Sequence, residues 1–214
     1  MCTATWLISD NGYELFCNRD ERRTRLPALP PRVDERNGVK FIAPIDTDAG
    51  GTWLAANESG TTLCLLNHYV DTPPPRKTVS RGLLVLSVID KKNPVPTGVE
   101  QYRPFLLLVF ALRQAPIMWR WDGETLRRET PEMPVTTSSF DTASVIRARR
   151  EKFDGHFEQY HLTGGDAYSV CMSRPDAQTV SFSHVIVQPG RIEFRYRPRL
   201  PDGAFAPATV VTLP

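Results

Sequence analysis

Three observations predict an α+β fold. Short apolar or alternating segments bounded by turn residues recur along the whole chain. Helical periodicity is confined to two blocks. Those blocks interrupt the strands rather than alternating with them. Two mainly antiparallel sheets stacked face to face, with helices outside, satisfy this pattern. The 214 residues suffice for one sizeable core, so a single domain over 1–214 is expected.

The elements follow in order. Residues 3–9 read as a strand and 13–18 as its partner, joined at Asp10-Asn11-Gly12, where Asn and Gly tolerate positive φ. A two-residue turn at Asn11-Gly12 would set Ala4 opposite Arg19, Thr3 opposite Asp20 and Cys2 opposite Glu21. A three-residue loop would set Cys2 opposite Asp20. Either register leaves residues 19–21 beside the N-terminus, with facing Cβ atoms about 4.5–5.5 Å apart. Residues 22–36, carrying Pro27, Pro30 and Pro31, are expected as an extended loop. A short strand at 40–43 precedes a second hairpin, 52–56 and 62–66, turning at Asn57-Glu58-Ser59-Gly60. The proline-rich connection 71–75 is expected to shape a pocket rim. Residues 80–91 form the first helix, with Ser80 as N-cap and Leu83, Leu84, Leu86, Val88 and Ile89 apolar. Strands are expected at 105–112, 117–121 and 125–128. A second helix runs from Asp141, its cap, to about residue 159, on the spacing of Val145, Ala148, Phe153 and Phe157. Strands at 167–172, 179–187 and 191–196 follow, and 208–213 adds one more.

Composition narrows function by exclusion. Charged residues are 23% and hydrophobic ones 41%, ordinary for a soluble domain. A net charge of +2 gives no reason to invoke nucleic acid or an acidic membrane. No apolar run approaches the ~18 residues of a spanning helix, and no secretory signal is read at the N-terminus. A cytoplasmic protein without stable membrane insertion is therefore expected. Cys2, Cys17, Cys64 and Cys171 have no CxxC spacing, so neither zinc nor disulfides are expected. His156 and His161 are five apart and do not share a helix face, which argues against a metal pair. Gly50-Gly51 and Gly164-Gly165 lack the following Lys-Ser or Lys-Thr of a phosphate loop. The basic run Arg147 to Arg150 reads as a solvated helix face.

Cys17, Cys64 and Cys171 lie in apolar runs and read as inert core residues. Cys2 differs by position. Methionine aminopeptidases remove Met1 when a small residue follows, which would leave a thiol and a free α-amine on one carbon. That is a nucleophile carrying its own general base. The thiol titrates near pKa ~8.5 and the amine near ~7.7–8.0, and a nearby cation such as Arg19 would favour thiolate. Asn67, a polar amide ending the apolar run Leu63-Cys64-Leu65-Leu66, needs a partner or incurs a desolvation cost of ~1–3 kcal/mol.

Met1-Cys2-Thr3 with Asn18-Arg19-Asp20-Glu21 resembles the NRDE family, also called the transport and Golgi organisation 2 family. Gly50-Gly51-Thr52-Trp53-Leu54-Ala55-Ala56-Asn57, Gly60 and Leu65-Leu66-Asn67-His68-Tyr69 resemble its second block, and Ser80-Arg81-Gly82-Leu83-Leu84 its helix start. Ser138-Ser139-Phe140-Asp141 departs from the family's later segment. The family is in turn similar to N-terminal-nucleophile hydrolases of the cholylglycine hydrolase type. The resemblance implies a four-layer αββα sandwich with thin outer layers. It implies Cys2 as nucleophile, Arg19 and Asp20 as its supports and Asn67 as oxyanion donor, with Asn18, Glu21 and His68 as substrate contacts. Strand alternation, however, points His68 to the other sheet face. In the hydrolases the Arg and Asp are two residues apart, whereas Arg19 and Asp20 are adjacent, so whether Asp20 or Glu21 serves Cys2 stays open. The expected activity is hydrolysis of an amide or (thio)ester, on a small-molecule substrate and without cofactor or metal. A non-catalytic carrier of haem or an acyl lipid on the same fold is the alternative. Oligomeric state is not predicted.

Overall fold

A computed structural model describes residues 2–71, 75 and 78–214. Removal of Met1 and most of the expected pocket rim at 71–75 concern residues outside that set. Thirteen strands and three α-helices are present among the described residues. In chain order they are β1 (Cys2–Ser9), β2 (Gly12–Arg22), β3 (Leu29–Arg36), β4 (Val39–Ile45), β5 (Leu54–Asn57), β6 (Thr61–Asn67) and α1 (Arg81–Val88). They continue with β7 (Phe105–Ala111), β8 (Ile117–Trp121), β9 (Leu126–Glu129), β10 (Val135–Thr137), α2 (Thr142–Glu151) and α3 (Phe157–Leu162). The chain ends with β11 (Ala177–Gln188), β12 (Arg191–Pro198) and β13 (Thr209–Leu213). None of these helices is long and apolar enough to cross a membrane.

The strands form two antiparallel sheets, ordered β10-β1-β2-β11-β12-β13 and β3-β4-β5-β6-β7-β8-β9. Alternation along each strand decides what faces what. Ala4 and Trp6 of β1 and Tyr13, Leu15 and Cys17 of β2 point into the space between the sheets. There they meet Leu54, Cys64, Leu66, Leu106, Leu108 and Phe110 of the other sheet. The Cys17 and Cys64 sulfurs lie 3.6 Å apart across this interface. The outer face of the seven-stranded sheet is covered by α1 through Leu84, Val85 and Val88. On the other side, Phe16 stacks on Phe157 of α3 at 5.4 Å. Thr3, Thr5, Asn18 and Asp20 lie on that same outer face of the six-stranded sheet, under α2 and α3. The result is the four-layer αββα sandwich, with outer layers of only eight residues on one side and ten plus six on the other.

The structure corrects several expectations. The first hairpin turns at Asp10-Asn11, and Ser9 pairs with Gly12, so Cys2 faces Arg19 rather than Glu21 or Asp20. Gly12 belongs to the strand because β11 runs against it. A Cβ there would sit 1.9 Å from the Val187 carbonyl oxygen, and its φ of +142° suits only glycine. Residues 29–36 form a strand rather than a loop. Being an edge strand with a register shift between Leu29 and Arg32, it accommodates Pro30 and Pro31. The expected second helix is two helices, α2 and α3, separated around Gly155 at φ +87°. The expected strand at 167–172 is a turn region, held by the Tyr168 and Ser169 backbone N–H groups donating to Asp166 Oδ1 at 2.8 and 2.7 Å. Ser80 and Asp141 occupy N-cap positions but make no side-chain capping bond.

Candidate active site

Cys2 lies in a cleft of about 590 Å³ where the two sheets meet the start of α1. β1 runs between β10 and β2, so Cys2 pairs with Thr137 on one side and Arg19 on the other. Its backbone N–H donates to Thr137 Oγ1 at 3.3 Å. The side chain is 5% exposed. Burial pushes the thiol up to about 12, against the lowering effect of a hydrogen bond from the Asp20 backbone. The expected exposed thiolate is therefore corrected to a buried thiol, whose charged form desolvation disfavours.

Arg19 faces Cys2 across the strand pair, and its guanidinium is engaged by other groups. Its guanidinium lies 4.3 Å over the Trp53 ring and 3.6 Å from both Glu21 and Asp46. Two carboxylates already balance it. Arg25 joins them, pairing with Asp46, with Asp48 at 2.9 Å and with Glu21 at 3.8 Å. Glu21 thus lines the cleft as one member of an alternating charge network on its wall.

The Asp20 carboxylate is engaged on the far side of the sheet. Alternation sends that side chain behind the sheet, where it is fully buried and Arg149 of α2 approaches at 3.4 Å. Thr179 Oγ1 donates to its other oxygen at 2.6 Å, next to a register shift between β2 and β11. Asn18 takes the same outward direction, which corrects its assignment as a substrate contact. It is fully buried, donates to the His161 and Val170 carbonyls at 2.8 and 3.2 Å, and accepts from His161 Nδ1 at 3.0 Å. Accordingly, His161 Nε2 is the acceptor of the Thr5 hydroxyl at 2.8 Å. His68 is also corrected. It is not among the residues lining the cleft and sits against Arg120 and the Trp121 carbonyl, each at 3.4 Å.

Asn67 does line the cleft, at the end of β6, and donates to the Tyr69 hydroxyl at 3.3 Å. It shares its register with Leu63 and Leu65, which pack with α1, so it reaches the cleft from the α1 side. Reasoning from sequence missed Thr137, whose only signal was the β-branched run Val135-Thr136-Thr137 after Pro134. It also passed over Arg81, Arg103 and Arg174 on the cleft wall, and Trp53 under Arg19. Arg81 and Trp53 do lie inside motifs that stand out in the sequence.

In comparison with solved structures, the fold is similar to an N-acylethanolamine-hydrolyzing acid amidase ortholog from Caenorhabditis elegans. The identity is 13% and the TM-score 0.54, over 95% of this chain and 95% of that one. It is similar to the penicillin V acylase of Agrobacterium tumefaciens at 13% identity and TM-score 0.53, covering 99% and 85%. It is also similar to a mutant conjugated bile acid hydrolase from Clostridium perfringens at 12% identity and TM-score 0.52, covering 100% and 92%. These likenesses establish the N-terminal-nucleophile hydrolase fold. No curated protein matches in sequence. The pattern of one family, Transport and Golgi organisation 2, matches residues 1–161, and the chain belongs to that family.

Proposed function

We propose that this protein is an N-terminal-nucleophile hydrolase that cleaves an amide or thioester through Cys2 after loss of Met1. The observation that carries this reading is the placement of both reacting atoms of one residue. The Cys2 nitrogen is held by Thr137 and its sulfur lies beside the Asp20 backbone, on a strand paired on both sides at the cleft. With Met1 removed, that nitrogen is the α-amine. It takes the thiol proton as sulfur attacks the carbonyl carbon, so the buried thiol is activated during attack rather than beforehand. Asn67 donates to the oxygen that becomes negative. The amine or thiol leaving group departs with the proton, and water attacks the acyl-enzyme to release the acid and regenerate Cys2. Arg19 and Glu21 shape the cleft wall that meets the small-molecule substrate. We infer a cytoplasmic reaction, in the compartment where Met1 would be removed.

Intact-mass spectrometry tests this reading. Protein from its native host is expected to lack Met1. Incubation with a panel of amides and thioesters is expected to yield an acyl adduct on Cys2, absent from Cys2→Ala. Retention of Met1, or no adduct with any member, would sink the proposal. Tight haem or acyl-lipid binding without an adduct would favour the carrier instead.

A further inference from the structure

Arg81 opens α1, and its position is built by two close backbone approaches. Gly51 and Gly82 pack against each other. A Cβ on Gly51 would lie 2.5 Å from the Gly82 carbonyl carbon, and one on Gly82 would lie 2.9 Å from the Thr52 nitrogen. Thr52 donates its backbone N–H to Gly82 at 3.1 Å in the same place. From the other side, Val79 bridges Tyr102 in parallel, and its N–H donates to Gln101 at 3.1 Å. This bridge lays residue 79 beside 102 and so brings Ser80 and Arg81 to the Arg103-Pro104 stretch. Arg81 Nη1 donates to the Pro104 carbonyl at 2.9 Å, which fixes the side chain.

Both arginines line the cleft that holds Cys2. Among the described residues neither forms an ion pair, whereas Arg19, Arg25 and Arg174 on the same wall each have a carboxylate. Glu21, the carboxylate whose charge reaches Arg81 through space, is already engaged by Arg19 and Arg25. Burial first, and then the charge of Arg103, lower the Arg81 pKa from its ordinary value. Two like charges held together in a cleft, one of them desolvated, are stabilised by an anion between them.

We propose that Arg81 and Arg103 form a subsite for an anionic substituent, a carboxylate or a phosphate, on the substrate attacked by Cys2. This rests on the hydrolase reading for the reaction but not for the binding. The two residues are specificity determinants: they select which acyl compounds are held with the carbonyl at the thiol. Arg81 supplies the fixed, partly buried cation, and Arg103, exposed at the mouth, supplies the second.

The test uses thioesters that differ in one end group: the adipoyl monothioester, its methyl ester and a phosphate-terminated chain of equal length. An anionic end is expected to raise kcat/KM by about tenfold to a hundredfold over the methyl ester, the range of a charged hydrogen bond. The ratio is expected to fall towards one in Arg81→Gln and in Arg103→Gln, and to survive in part in Arg81→Lys. Comparison of the two anionic arms tells carboxylate from phosphate. A second readout needs no turnover: adipate or inorganic phosphate is expected to slow alkylation of Cys2 in the wild type and not in Arg81→Gln. Should Arg81→Gln misfold, Arg103→Gln at its exposed position carries both readouts. Turnover with a ratio near one and no protection by either anion would overturn the subsite while leaving the hydrolase intact. Arginine-dependent protection without any turnover would keep the subsite and remove the hydrolase. Absence of both would remove both.

Discussion

Arg19 and Trp53 join the two sheets at the cleft: the guanidinium of a β2 residue stacks 4.3 Å over an indole from the segment that enters β5. Glu21 and Asp46 hold that guanidinium in place from its edges, at 3.6 Å each. A planar cation suits this position, because it stacks through its face while its N–H groups reach carboxylates in its plane.

Replacement of Arg19 is accordingly expected to act on stability more than on the thiol. Arg19→Ala should lower unfolding free energy by about 2 kcal/mol, from the lost stack and from two carboxylates left to Arg25 alone. Arg19→Lys should fall between it and the wild type. Urea unfolding measures both. The pH profile of Cys2 alkylation should stay within a fraction of a unit of the wild type; an upward move of a full unit in Arg19→Ala would show direct action on the thiol.

Asn67→Ala is expected to reduce kcat by about 10²–10³ with a modest change in KM, as for a donor that acts mainly on the developing oxyanion. Steady-state kinetics on any substrate that acylates Cys2 decides it. A rise in KM with unchanged kcat would instead make Asn67 a ground-state contact.

The buried pair behind the cleft gives a sharper stability test. Arg149 and Asp20 have side chains 1% and 0% exposed, at 3.4 Å. Arg149 also donates to Thr3 and Thr136 at 2.9 and 3.1 Å. Arg149→Met should cost about 3–5 kcal/mol, since it strands a buried carboxylate. Adding Asp20→Asn should recover part of that loss. A double variant no more stable than Arg149→Met would mean that the threonine bonds, not the carboxylate, dominate.

His161 is fully buried, and burial lowers it to about 3, with Arg149 and His184 adding to the fall. In the unfolded chain it titrates near 6.5, so between about pH 6.5 and 3 the unfolded state binds a proton that the folded state excludes. The folded-state contribution is complete above 6.5 and is lost as pH falls through this window, by up to about 1.4 kcal/mol per pH unit. His184 is also lowered and contributes alongside. In urea titrations at pH 7, 6, 5 and 4, His161→Gln should show a shallower acid loss than the wild type. Identical slopes would place the acid sensitivity elsewhere.

What could be read from the sequence was local, and what could not was long-range. The first hairpin was legible because Asp10, Asn11 and Gly12 are turn residues. Its register was not, because Gly12 answers to Val187, 175 positions away. β3 was hidden by its prolines, which only its place at a sheet edge makes acceptable. Cys2 was legible as special by position. Its burial was not, since that depends on the second sheet and on β10, a strand of three residues. Arg81 stood in a recognisable motif, yet its place near Arg103 depends on one parallel bridge, Val79 to Tyr102, between separate segments.

The run Asn18-Arg19-Asp20-Glu21 is one strand serving two clients. Arg19 and Glu21 look towards the cleft, and the side chains of Asn18 and Asp20 look towards the helices. Variants within these four neighbouring positions should therefore divide into two kinds of failure. Changes at Asn18 or Asp20 would lower the amount of folded protein in a cell, while Glu21 changes would leave abundance intact and alter what the cleft accepts. A growth or reporter assay alone would score both as loss of function. Measuring steady-state protein level beside it would separate a missing protein from one that is present but inactive.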